Sequence, residues 1–195
     1  MTGIPLLLAL CAAAQGCFPP TRREIETGRG LAGALLLQGA LAGRLELYTD
    51  RVRVTGPGGT GDAALDEALA RIGRASRQRG PAHWVERLGP WALARLHPGP
   101  ALRASGTAPG LALRQVREAV REPTAERLPA VAAGALLTAS GLHAVGWPGL
   151  TAAGAEQRTA GAVASLGATG TLVARASAAV ADSRASSAAA LAFFG

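Results

Sequence analysis

The chain has no lysine: all 20 of its basic side chains are arginine, set against 13 acidic ones. That absence removes whole reaction classes. There can be no phosphate-binding loop of the GxxxxGK[ST] kind, no Schiff-base lysine and no kinase lysine. Cysteine is scarce too, with Cys11 and Cys17 in one short segment. Their spacing makes neither a zinc pair nor a redox CxxC, and they read as buried thiols of a reducing compartment. The three histidines, His83, His97 and His143, lie far apart and none sits in HExxH, nor does any serine sit in GxSxG. We therefore expect no enzyme, no metal site and no cofactor. Aromatic residues make up only 4% of the chain, so a core has to be built from Leu, Val and Ala.

What is present is apolar and basic. A length of 195 residues with 49% hydrophobic residues suits one domain with a single sizeable core. The net charge of +7 and a pI of about 11.3 favour anionic partners, either phosphate backbones or acidic lipid headgroups. Arginine without lysine, beside heavy Ala and Gly use, also suggests a GC-rich genome. The opening run IPLLLALCAAAQGC, residues 4–17, resembles the apolar part of an export signal. It lacks the positively charged start such a signal needs, because the first basic residue is Arg22. The other reading is a first helix buried in the fold.

The pattern further along the chain predicts mostly helix. CFPPTRREIETG reads as a loop, with Pro19-Pro20 forbidding helix and the charges favouring solvent. A broad apolar helix follows over residues 29–43, with Leu31, Leu35 and Leu41 on its face and Gly43 to end it. RLELYTDRVRVTG alternates as a hairpin, with Leu45 and Leu47 on one face, Val52 and Val54 on another, and Thr49-Asp50 at the turn. Asp62 is placed to cap a helix through DAALDEALARIGRASRQR, whose acidic start and arginine-rich end complement the helix dipole. A third helix starts near Pro81 and buries Trp84, Val85 and Leu88. Pro90, Pro98, Pro100 and Pro109 should then break residues 89–110 into short pieces. Helical spacing resumes over residues 111–122. The apolar stretch AVAAGALLTASGLHAVG reads as a core helix carrying a core histidine, His143, rather than a membrane span. Residues 151–195 are a weakly specified Ala/Gly/Ser-rich segment of the same domain, with a helix over 171–182.

The order of these blocks resembles the Golgi phosphoprotein 3 family, in particular its shorter actinobacterial members. The blocks that carry the resemblance are Leu31 to Leu47, Thr60 to Ile72 and Trp84 to Leu88, followed more loosely by Leu113 through GLHAVGWPG. The resemblance implies a mainly α single domain, with small β-hairpins, spanning residues 1–150 and continued by the 151–195 segment. It places the opening LLLAL in the first core helix. It also implies a cytoplasmic protein that associates reversibly with a membrane surface and binds phosphatidylinositol 4-phosphate. The expected partners are acidic phospholipid headgroups and the cytosolic tails of membrane enzymes. The family's lipid site uses a loop tryptophan, the arginine of a GLRG motif and an arginine pair on a later helix. Here the loop offers Phe18, the GLRG arginine falls at Ala32 with Arg29 one turn earlier, and Arg87 and Arg95 lie nearest the pair. The apolar hairpin of the family is reduced to PGPALRASGTAPG.

Arg22, Arg23, Arg29, Arg87 and Arg95 are thus the candidate headgroup ligands, since guanidinium groups bind phosphate in a bidentate fork. Glu24 and Glu26 offset part of the first group. Arg71, Arg74, Arg77 and Arg79 form either a membrane-facing patch or simply a helix end. Asp62, Asp66 and Glu67 near a Gly-rich turn are better explained by capping than by metal. A rival reading takes residues 29–43 and the hairpin with Arg51 and Arg53 as a helix and wing on nucleic acid. Its helix offers only Gln38 to a groove and is otherwise apolar, so base readout is not expected. Nonspecific electrostatic binding to nucleic acid stays open as the alternative.

Overall fold

A computed structural model of the chain describes residues 3–13, 22–56, 58–96 and 109–194. Its elements run α1 (Ile4–Ala13), α2 (Arg22–Leu41), β1 (Leu45–Leu47), β2 (Val52–Val54), α3 (Ala63–Gly73), α4 (Pro81–Arg95) and α5 (Pro109–Arg121). A 3-10 turn (Ala125–Arg127) leads into α6 (Leu128–Ala139), the short α7 (His143–Gly146), α8 (Ala152–Ala164) and α9 (Gly167–Phe194). The architecture is mainly α, a single helical domain with, among the described residues, one two-stranded antiparallel sheet.

The central element is α2, which packs against α4, α9, α1, α6, β1 and α3. Every residue from Leu31 to Leu37 is buried, and Gly43, at φ 67°, terminates the helix in a conformation that favours glycine. That burial removes α2 from any role as a recognition helix. The opening apolar run is also core: α1 buries Leu7, Leu8, Leu10 and Cys11 against α2, α5 and α6. The core side chains are Leu, Val, Ala and Ile, with Trp84 and Trp147 as its aromatic members. Fully burying each Leu contributes roughly 1.5–3 kcal/mol.

The hairpin pairs Leu45 with Val54, Glu46 with Arg53 and Leu47 with Val52. Cross-strand partners point to the same side of a sheet. The four apolar residues therefore share one face rather than two, and Glu46, Arg53 and the turn carry the solvent face. There Glu46 accepts hydrogen bonds from Tyr48 Oη (2.8 Å) and Arg53 Nε (2.7 Å).

Other expectations are corrected. The segment from Arg22 to Gly28 is helix rather than loop; the prolines at 19 and 20 precede α2, and Glu24 in its first turn suits the helix dipole. Pro90 does not break α4, which continues to Arg95. Pro90 is exposed, so the carbonyl its ring leaves without a donor, that of Glu86, can be solvated. The apolar stretch before Trp147 is not one helix, because α6 stops at Ala139 and α7 begins at His143. His143 is half-buried at that start, not a core residue. The C-terminal segment is more regular than its composition implied, with α8 preceding a 28-residue α9 that extends well beyond 171–182 on both sides. Cys17, Phe18, His97 and most of PGPALRASGTAPG lie outside the described residues.

Candidate functional site

Two clefts flank α4, and they differ in charge. The first lies between the hairpin, the end of α3 and the start of α4. It has a volume of about 250 Å³ and is lined by Arg53, Val54, Ile72, Arg77, Gln78 and Trp84, among others. Its position follows from local sequence. Asp62 accepts from the backbone N–H groups of Ala64 (2.9 Å) and Leu65 (3.0 Å), which fixes the start of α3. Arg74 caps the other end. The chain then runs through an exposed turn, in which the Arg79 carbonyl accepts from Val52 N–H (2.9 Å) and ties the turn to β2. Pro81 opens α4, a position where its missing N–H costs nothing.

Arg53 and Arg77 line this cleft, and further arginines lie close to its lining residues in the chain. Arg74, Arg77, Arg79 and Arg87 are all exposed, and none forms an ion pair among the described residues. Arg87 stacks over the Trp84 ring, its guanidinium carbon 5.9 Å from the ring centroid. Trp84 itself is 2% exposed, and its indole N–H is buried without a partner among the described residues. Arg53 is already engaged by Glu46, whose carboxyl is held below its usual range by the Tyr48 hydroxyl and by Arg53.

The second cleft, of about 410 Å³, lies on the other side of α4. Glu24, Ile25 and Arg29 from α2 face Glu86, Gly89, Pro90 and Leu93 from α4. The helices meet at Gly28 and Gly89, where a Cβ on Gly28 would come within 2.7 Å of the Gly89 carbonyl oxygen. Arg29 is only 9% exposed. One of its terminal nitrogens donates to Ser187 Oγ of α9, and its Nε has no partner. Ser187 is also within 3.4 Å of Glu86 Oε1.

The five arginines singled out in the sequence are not gathered into one pocket. Arg22 opens α2, its side chain outside the described residues, and Arg23 is exposed beside it. Arg29 sits in the second cleft, and Arg87 stacks on Trp84, which lines the first. Arg95 lies 3.9 Å from Glu67, which also accepts from Arg71 (2.8 Å) and from the Trp91 indole (3.0 Å). Those contacts, Arg71 foremost, lower the Glu67 carboxyl below its usual range. Arg71 also stacks on Trp91 at 4.8 Å, so Arg71 and Arg95 clamp α3 to α4.

The acidic cluster proves to be capping chemistry. Thr60 donates from N–H (2.7 Å) and Oγ1 (2.8 Å) to Asp66 Oδ1, while Asp62 caps α3. Among the described residues no group of three His, Cys, Asp or Glu side chains is placed to hold a metal ion. The sequence reading missed Glu86 and Ser187. Glu86 carries no motif, and Ser187 lies in the low-complexity tail, 158 residues from the arginine it contacts. Its only sequence signal is a serine four residues after another serine on one helix.

No helix among the described residues is long and apolar enough to cross a membrane. No curated protein matches the chain. The family model for Golgi phosphoprotein 3 (GPP34) matches residues 5–187, which includes both clefts and all but the last turns of α9. The chain belongs to the Golgi phosphoprotein 3 family.

Proposed function

We propose that the protein is a peripheral membrane protein that binds acidic phospholipid headgroups, phosphatidylinositol 4-phosphate among them, through the arginine-rich cleft beside Trp84. The observation that carries the reading is a set of four exposed guanidiniums without a paired carboxylate among the described residues: Arg77 lines the polar cleft, Arg74 and Arg79 adjoin its lining residues in the chain, and Arg87 stacks on Trp84. Unpaired guanidiniums are ready donors for phosphate oxygens, and their fork geometry favours bidentate contact. Family membership supports the same class of ligand. An adaptor role toward the tails of membrane enzymes belongs to this proposal as its second step, since a surface-bound domain is positioned to meet such tails.

Each arginine near an anionic surface is worth about 1 kcal/mol. Removing two charges by Arg77→Gln and Arg87→Gln should therefore weaken binding to phosphatidylserine-containing vesicles roughly 30-fold at low salt. Both side chains are exposed, so the variant keeps the fold. Arg158→Gln, an exposed charge on α8 outside both clefts, serves as the control. Equal loss in the control and the double variant would refute the site. No vesicle binding by the unaltered protein would refute the function.

A further inference from the structure

The second cleft has a charge pattern that suits a different ligand from the first. It brings one guanidinium and two carboxylates to a single apolar hollow, yet none of Arg29, Glu24 and Glu86 makes an ion pair within 4.0 Å among the described residues. Arg29 is the unusual member. A cation this deeply buried is costly unless an anion or a full set of acceptors meets it. Among the described residues its one direct partner is the neutral hydroxyl of Ser187, and its Nε is buried without an acceptor. Both walls carry acceptors, Glu24 on α2 beside Arg29 and Glu86 on the facing α4. Among the described residues Glu24 meets no hydrogen-bond or ion-pair partner, Glu86 meets Ser187 at 3.4 Å and no other, and the Glu86 carbonyl lacks the helical donor that Pro90 cannot supply.

A phosphate monoester matches this arrangement poorly, because a dianion held by Arg29 would stand beside two carboxylates. A simple cation matches poorly as well, because it would leave Arg29 unanswered. We infer that the Arg29 cleft binds a small zwitterion, an anionic phosphate or carboxylate joined through a short alkyl spacer to an ammonium group. The anionic end meets Arg29, the ammonium meets Glu86 and Glu24, and the spacer lies against Ile25, Pro90 and Leu93. The cleft volume of about 410 Å³ falls within the usual range for small-molecule sites. Two sources share this chemistry: the phosphoethanolamine headgroup of a membrane lipid, and a free soluble zwitterion. Ile25, 59% exposed at the rim, gives a headgroup source an apolar contact beyond the cleft.

The test uses the full chain and soluble probes titrated by calorimetry: glycerophosphoethanolamine, glycerol phosphate, inorganic phosphate and ethanolamine. Saturable binding of glycerophosphoethanolamine is expected, about tenfold or more tighter than that of any probe lacking one of the two charges. Arg29→Gln and Glu86→Gln should each weaken it about tenfold. Glu86 is exposed, so its variant remains informative if Arg29→Gln fails to fold. Glycerol phosphate binding as tightly as the zwitterion, no saturation with the zwitterion, or no effect of Glu86→Gln would each overturn the proposal. A vesicle arm without acidic lipid separates the sources. Retention on phosphatidylethanolamine but not phosphatidylcholine marks a membrane ligand, and binding of the soluble probe alone marks a soluble one. Neither arm depends on Arg77 or Arg87, so its failure is distinct from failure of acidic-lipid binding.

Discussion

Substituting Gly28 by alanine tests the close α2–α4 contact beside the second cleft. The added Cβ would lie 2.7 Å from the Gly89 carbonyl oxygen and 3.0 Å from its carbon, and both atoms are backbone. No side chain can rotate away, so one helix must shift by several tenths of an ångström to restore ordinary contact. Overpacking of this kind costs about 1–3 kcal/mol. Alanine returns about 0.5–1 kcal/mol through its better helix propensity. The net loss is then about 1.5 kcal/mol. For a chain of this length that lowers Tm by roughly 3–6 °C. Gly161→Ala, exposed in α8 with nothing within 4 Å of the new methyl, isolates the propensity effect and should raise Tm by roughly 1–4 °C. Thermal unfolding of both variants followed by circular dichroism is sufficient. If Gly28→Ala is as stabilising as Gly161→Ala, the close crossing does not exist.

Asp62→Ala removes two backbone acceptor contacts at the start of α3 and should cost about 0.5–2 kcal/mol, read from urea unfolding. The carboxyls of Glu46, Asp66 and Glu67 all lie below their ordinary values, 4.5, 3.8 and 4.5, through bonds to Tyr48 and Arg53, to Thr60, and to Arg71. A depressed folded value adds stability above the ordinary value and loses it as pH falls through the folded one. Tm should therefore be flat between about pH 5 and pH 9 and fall below pH 4.5; a Tm that rises on acidification would contradict these contacts. Burial pushes the Cys11 thiol up from 9.0 to about 12, against the opposing charge of Arg117. In a Cys17→Ser background this thiol should stay unreactive to a disulfide reagent until denaturant is added, and stability should decline as pH rises above 9.0.

Much of the fold was legible because its signals are local. Asp62, Gly43 and Pro81 each mark an element boundary through their own backbone chemistry, and Leu31 to Leu37 announce a buried helix by sheer apolar density. The prolines misled where solvent compensates: an exposed Pro90 costs α4 one hydrogen bond and leaves the helix intact. The tail misled for the opposite reason. Ala and Ser specify helix weakly on their own, and α9 is held by its packing against α2, α4 and α6, which no periodicity displays. The candidate sites were legible only in part. Arg74, Arg77 and Arg79 stand out as a run of charges, but whether they face acids depends on tertiary neighbours. Glu86, Arg29 and Ser187 come together from three helices, and nothing in the chain order links them.

The most direct test of the account is co-sedimentation of the unaltered protein with vesicles containing either phosphatidylinositol 4-phosphate or phosphatidylserine at matched surface charge, each at low and high salt. Binding to both at low salt and retained binding to the phosphoinositide at high salt are expected. A specific cleft survives the screening that removes a diffuse surface attraction. Loss of both interactions at high salt would contradict a headgroup site and leave only a basic surface. Absence of binding at low salt would contradict membrane association altogether.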